Sequence, residues 1–369
     1  MHVIDSLALG GAERVLLEIA NRTVVDGHEV SVCVTRNGCA LANELRPEIR
    51  LWVLDRRSRF DRKGLQSLAA ILKKEGVDLL QAHGRSTFAF LAFAKMVGLV
   101  RCPIILHDHF GMIELDESVP LWFRVWAKRF TMNYVGVCNR LGHWGEAAGI
   151  APKKISVIEN ALNLTRIQNA TPVDLRHEFG IQADVPIGLV VGGLRHEKGI
   201  DILLQALAIS KYGRSAKILV VGGERSKEYA DKCRLLSSRL NLTDTVLFVG
   251  ERGDVPNLIR SVDFGLLPSR SESGPLVLIE YLAGALPVVF STVGGIARRA
   301  VNFGVEGSIQ PQDPEACAEA IDELLSLRTS DRVMRGKAGQ DIASIHFDIN
   351  TTIPQWYQVY RGALASAAQ

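Results

Sequence analysis

The stretch Ser271–Phe290, SESGPLVLIEYLAGALPVVF, reads as a helix followed by a strand. Pro275 suits the first turn of a helix, where its missing N–H costs nothing. Ser273 or Gly274 would then stand near the N-cap, with backbone amides around 274–277 free to face an anion. LPVVFS (286–291) is a β-rich run. One charge interrupts the apolar pattern: Glu280, between Ile279 and Tyr281. A buried carboxylate is costly unless it is hydrogen-bonded or paired, so Glu280 needs a partner. Glu272 lies in the loop just ahead of the helix, and the two carboxylates are spaced E-x7-E.

Working outward, β-rich runs alternate with helix-length segments along the whole chain. In the first half they are HVID, HEVSVCVT, RLWVLD, VDLLQAH, CPIILHDH, NYVGVC and KISVIEN. In the second they are PIGLVVGG, AKILVVGG, TVLFVG, VDFGLLPS and LPVVFS, with amphipathic segments such as 199–212, 226–240 and 314–327 between runs. Continuous apolar strands interleaved with helices indicate parallel sheets covered on both faces. The polar stretch 160–175 lacks strong periodicity and breaks the series. The fold class is therefore α/β, with two doubly wound Rossmann-like domains facing a cleft. The expected bounds are 1–164 for an N-terminal domain and 165–349 for a C-terminal one; ligands of open α/β sheets sit beyond the carboxyl ends of the strands.

Composition narrows the class of function. The 369 residues carry a formal charge of only +3, so no nucleic-acid partner is expected. Six cysteines (Cys33, Cys39, Cys102, Cys138, Cys233, Cys317) form no C-x-x-C pair, which argues against a zinc site or a disulfide frame and for a reducing cytoplasm. The start, MHVIDSLALGGAER, has no basic segment followed by a long apolar one, and FAFLAFAKMVGLV is too short to span a bilayer. The location expected is cytoplasmic, at most on the inner face of a membrane.

Four stretches could carry chemistry. In LALGGAERVLLEIA, Gly10 and Gly11 follow the first strand and open a helix whose amides could meet an anion; a plain turn is the simpler reading of that stretch alone. In VVGGLRHEKGID, Arg195 and Lys198 follow a strand and suit a diphosphate, or are solvated loop charges. The third is the E-x7-E stretch, whose plainer reading is a surface carboxylate plus a core Glu paired to Lys or Arg. In CPIILHDHFG, His107, Asp108 and His109 end a strand; a compact H-x-H without distant ligands matches known metal spacings poorly, so a structural histidine is the plainer reading and no metal is expected.

Taken together and in this order, GGAER, VIENALN, LRHEKGID and ESGPLVLIE…G.LPVV.S.VGG resemble the family 4 retaining glycosyltransferases of GT-B fold, over residues 10–295. The resemblance implies a nucleotide-diphosphate sugar, UDP- or GDP-linked, bound as substrate mainly to the C-terminal domain, with no cofactor. Glu280 would accept hydrogen bonds from the ribose hydroxyls, so its partners would arrive with the ligand. Glu272 and the amides of Ser273, Gly274 and Leu276, at the helix opened by Pro275, would hold the donor sugar and phosphate. Lys198 would neutralise the diphosphate, and Gly11 would approach it from the other domain. His109 fits the family's catalytic-region histidine, and with Glu272 is the expected catalytic residue. The segment IPQWYQVYRGALA, within 350–369, would be the last helix crossing back onto the first domain. Two departures stand out: Gly193 occupies the place of a frequent Arg, and Ala161 that of a usual Gly. In an extended segment Arg195 would share the face of residue 193 and could replace that Arg.

The reaction expected is transfer of the sugar with retention to a saccharide or lipid-linked acceptor, in cell-surface polysaccharide or glycolipid synthesis. A sugar-nucleotide epimerase of the same fold and a nucleotide-sugar-binding protein without catalysis are the alternatives. An NAD-dependent dehydrogenase would need G-x-G-x-x-G after the first strand, and LGGAER does not supply it. In PLWFRVWAKRF, Trp122, Trp126 and Phe130 fall along one helix face with Arg124, Lys128 and Arg129 elsewhere; LDRRSRFDRKG adds Arg56, Arg57, Arg59, Arg62 and Lys63. Two readings stand for this region: peripheral contact with anionic lipid, or a helix packing its aromatics inward.

Overall fold

The computed structural model describes residues 1–58 and 60–367. The chain forms two compact units: residues 1–161 together with the chain from 349 onward, and residues 162–348. The first crossing thus falls slightly ahead of the expected 164. Where the chain enters and leaves the second unit, Leu162 N donates to Phe347 O at 3.1 Å.

Unit 1 is built on seven strands: β1 (His2–Ile4), β2 (Ser31–Val34), β3 (Arg50–Val53), β4 (Leu80–His83), β5 (Ile104–Asp108), β6 (Thr131–Gly136) and β7 (Ile155–Val157). Their order is β3-β2-β1-β4-β5-β6-β7 and every pairing is parallel. Strand alternation feeds two cores, one on each face. Val3 and Cys33 join Phe88, Phe90, Leu91 and Phe123 on one side. Ile4, Val32 and Val34 join Leu7, Leu16 and Leu17 on the other. Each such fully buried side chain contributes about 1.5–3 kcal/mol of transfer free energy. The C-terminal helix Ile349–Ala367 also belongs to this unit, where Tyr360 Oη donates to Gln81 Oε1 at 2.5 Å and Tyr357 Oη to Asp26 Oδ2 at 2.6 Å.

Unit 2 repeats the plan with β8 (Ile187–Val191), β9 (Lys217–Val221), β10 (Val246–Gly250), β11 (Phe264–Leu267), β12 (Val288–Ser291) and β13 (Ser308–Ile309). The order is β10-β9-β8-β11-β12-β13, again all parallel. The twelve expected runs all contain strands; β13 was not expected, and its two residues have no apolar run to announce them. In each sheet consecutive strands first step one way and then the other, so the switch points are β1/β4 and β8/β11, where ligands of such sheets bind.

Three local readings are corrected. The helix after β11 starts at Leu276, with Pro275 at its N-cap and not inside its first turn. In the helix Leu121–Phe130 the inward residues are Phe123 and Ala127, one turn apart, and Trp126 and Phe130 are partly buried against the same core. The exposed apolar residues there are Leu121, Trp122 and Val125, so the Trp122–Trp126–Phe130 stripe is not an outward face. Arg56 is buried and paired to Asp5 Oδ1 at 2.6 Å, which removes it from any surface patch; Arg59 lies outside the described residues. Among the described residues no helix is long and apolar enough to cross a membrane, and the six cysteines are unbridged.

Candidate active site

The unit 2 switch point collects most of the expected residues. The loop leaving β8 runs through Gly192 and Gly193 into a short 3-10 turn, His196–Lys198, which Gly199 closes at φ +65°. A Cβ on Gly199 would stand 2.0 Å from Pro268 O, so glycine is required for this loop to touch the one leaving β11. Arg270 N donates to Glu197 O at 2.7 Å across the same seam. The contact brings Lys198 Nζ to 2.6 Å from Glu272 Oε1, which also accepts from Ser269 Oγ at 2.8 Å. Glu272 is buried, so this ion pair is strong and mutually necessary.

Side chains that sequence reading passed over brace the seam. Arg270 grips Asp201 with two bonds, 2.7 and 2.9 Å, and Tyr229 Oη donates to Asp201 Oδ1 at 2.6 Å. Burial works to raise the Asp201 pKa, yet the bonds from Arg270 and Tyr229 hold it below the usual carboxylate value. Gly295 N donates to Ser273 O at 2.9 Å, tying the β11 loop to the one after β12. Ser273 and Pro275 are buried and Gly274 half-buried, so the Leu276–Ala283 helix presents its first amides from a fixed turn.

Glu280 is buried in that helix, and its carboxylate already has a cation: Arg166 Nη2, from the short helix Thr165–Gln168, is 3.5 Å from Oε1. The expectation that all its partners would come with a ligand is therefore corrected. The Arg was hidden in NLTRIQ, the segment read only as a domain break. Arg195 is exposed on extended backbone ahead of the 3-10 turn.

In unit 1, Gly10 caps the helix Gly11–Val25 with extended backbone and Gly11 is exposed at its N-terminus; Glu13 already stands in the first turn. His109 lies at the carboxyl end of β5, in a chain of imidazoles. His83 Nδ1 is 3.2 Å from His109 Nε2, and His2 Nδ1 is 3.1 Å from His83 Nε2. Burial lowers His2 and His109 to about 3 and holds His83 and His107 well below 6.5, so all four are neutral at pH 7. Asp108 points to the other face of the strand, accepting from Arg85 Nε and Tyr134 Oη at 2.9 Å each, and takes no part in the cluster. Nitrogens of His83, His107 and His109 lie within 4.8 Å of one another, which brings a third imidazole to the H-x-H motif. Gln81 Nε2 donates to His107 Nδ1 at 3.1 Å, which leaves the ring proton on the buried Nε2, where an ion would need a lone pair.

The comparisons with known proteins fall on both units. Residues 174–341 match the family model for glycosyl transferases group 1, and residues 9–166 that for glycosyltransferase family 4. A D-inositol 3-phosphate glycosyltransferase of Thermobispora bispora is 30% identical over 223 residues, 58% of this chain and 51% of that protein. The N-acetyl-alpha-D-glucosaminyl L-malate synthase of Bacillus anthracis is 24% identical over 97% of this chain and 95% of its own. The chain spans about half the length, 44% to 52%, of the first curated relatives it matches. Among solved structures, Anabaena Alr3699/HepE in complex with UDP-glucose shares the fold with a TM-score of 0.80 at 22% identity, covering 98% of this chain and 99% of that one. The two family models cover nearly the whole chain between them, and it belongs to the family 4 glycosyltransferases of GT-B fold.

Proposed function

We propose that this chain is a retaining glycosyltransferase that moves a sugar from a nucleotide-diphosphate donor to a saccharide or lipid-linked acceptor, in cell-surface polysaccharide or glycolipid synthesis. The observation that carries the reading is the Lys198–Glu272 pair at the β8/β11 switch point, one helix N-terminus away from Glu280. Glu280 accepts from the ribose hydroxyls. Lys198 and the amides of Ser273, Gly274 and Leu276 meet the diphosphate. Glu272 holds the donor sugar. The UDP-glucose held by the Anabaena protein supports a UDP-linked donor.

In the transfer step the glycosidic C–O bond to the diphosphate breaks, and the acceptor oxygen bonds to the same carbon from the same face. The acceptor proton passes to the departing phosphate. Negative charge grows on the leaving diphosphate, where a fixed ammonium and helix amides act mostly on the transition state. Chelation should therefore leave the rate unchanged. The test is thermal unfolding against UDP-, GDP- and ADP-sugars. A true donor at 100 times its dissociation constant stabilises by about 2.7 kcal/mol; no shift with any nucleotide sugar sinks the reading.

A lipid-linked acceptor also fits the helix Leu121–Phe130. Leu121, Trp122 and Val125 are exposed beside the exposed Arg124, Lys128 and Arg129, a mixture suited to an anionic bilayer surface. Absence of co-sedimentation with anionic vesicles at low salt removes this part.

A further inference from the structure

We infer that Arg225, on the loop leaving β9, is a diphosphate-binding residue of the donor site; the inference rests on the nucleotide-diphosphate reading above. The starting point is a charge count. Lys198 is matched by Glu272, and Glu280 by Arg166, so these four side chains sum to no net charge. A nucleoside diphosphate brings about two or more negative charges, and a site that releases it needs a further cation.

The backbone supplies one at a defined place. Leu194 N donates to Gly223 O at 2.8 Å and Ser226 N to Leu194 O at 3.0 Å, so the loops after β8 and β9 continue side by side beyond the strands. A Cβ on Gly222 would be 2.1 Å from Gly192 O, which fixes how closely the two loops approach. In this arrangement a Cβ on Gly193 would meet Arg225 Cγ at 2.6 Å, and one on Gly192 would meet Lys198 Cδ at 3.2 Å. The stem of Arg225 thus fills the space of a side chain at 193, and the stem of Lys198 that of one at 192. A cation absent from the first loop is delivered from the second.

Its guanidinium rests on Glu251, with Nη2 3.1 Å from Oε1. Both side chains are about half exposed, 49% and 48%, so this pair is weak and exchanges readily for a phosphate. Arg195, to which the sequence reading gave the same role, is exposed on the loop and has no such packed seat in the first loop's missing side-chain space.

The test is calorimetric titration of the full chain with UDP and UMP, and with GDP and GMP. In Arg225→Ala the affinity for the diphosphate falls about tenfold to a hundredfold, while that for the monophosphate changes less than about threefold. Gly193→Arg in the Arg225→Ala background restores diphosphate binding. Arg195→Ala stays within about threefold of the parent. The inference is overturned if Arg225→Ala binds the diphosphate as the parent does, or if Arg195→Ala takes the loss instead. If the parent chain binds neither diphosphate, the donor reading itself has failed, and the role of Arg225 falls with it.

Discussion

Lys198 is asked to do two things: neutralise Glu272 before a donor arrives, and meet the diphosphate afterwards. Lys198→Met separates them, because the methionine keeps the aliphatic stem that lies over Gly192 and removes only the charge. Glu272 then remains buried, with Ser269 as its one remaining donor among the contacts described. Severing a buried pair costs about 3–5 kcal/mol; the 14% exposure of the Lys198 side chain and the Ser269 bond put the expected loss near about 3 kcal/mol. Glu272→Gln should cost about 1 kcal/mol, since the freed ammonium can turn to water. The double variant has no buried charge to orphan, so it should sit close to Glu272→Gln, a coupling of about 2–3 kcal/mol. Donor binding should behave otherwise. Lys198→Met loses charge-assisted bonds to phosphate, about tenfold to a hundredfold in affinity, and the double variant does not regain it. The assay for stability is urea unfolding followed by far-UV circular dichroism. Tryptophan emission is unsuitable, because the five tryptophans (Trp52, Trp122, Trp126, Trp144, Trp356) all lie in unit 1. A stability change under about 0.5 kcal/mol for Lys198→Met, or recovery of diphosphate affinity in the double variant, refutes the dual role.

Glu280→Gln should fold and bind the nucleoside diphosphate about tenfold to a hundredfold more weakly, whereas Arg166→Ala should lower the melting temperature as well, by leaving a buried carboxylate short of its cation; equal nucleotide affinity in Glu280→Gln removes the ribose assignment. Unit 1 should lose stability as pH falls from about 6.5 toward 3. His2 and His109 titrate at about 3 in the fold and near 6.5 unfolded, so in that window the unfolded chain binds more protons. His2 alone accounts for about 2 kcal/mol at pH 5, and a tryptophan-detected urea midpoint that is the same at pH 7 and pH 5 contradicts this. Gly199→Ala should destabilise unit 2 by about 2 kcal/mol or more, since its φ of +65° and its approach to Pro268 O both exclude a Cβ; a neutral substitution would show that the two loops are not in register.

The strands were legible because both sheets are parallel and covered on both faces, so each strand is a nearly unbroken apolar run. β13 escaped because Ser308–Ile309 is too short to form one. Lys198, Glu272 and Glu280 were legible as charges at strand ends or inside an apolar helix. Their partners were not. Arg166 is more than a hundred residues from Glu280, and nothing in a local pattern couples two such positions. Asp201, Tyr229 and Arg270 likewise meet only because β8, β9 and β11 are neighbours in the sheet. The aromatic helix left two readings open for a different reason. Its inward face is set by Phe123 and by the small Ala127, which lets the backbone approach the core, and a count of large aromatics overlooks the small residue.

The most direct test of the whole account is the structure of this chain crystallised with a bound nucleotide-diphosphate sugar. The account predicts the ribose hydroxyls within hydrogen-bond distance of the Glu280 carboxylate, about 2.5–3.0 Å, and the diphosphate against Lys198 and the amides of Ser273, Gly274 and Leu276, with the Lys198–Glu272 pair opened or shared. A nucleotide bound elsewhere, with that pair intact and Glu280 still held only by protein groups, would contradict it.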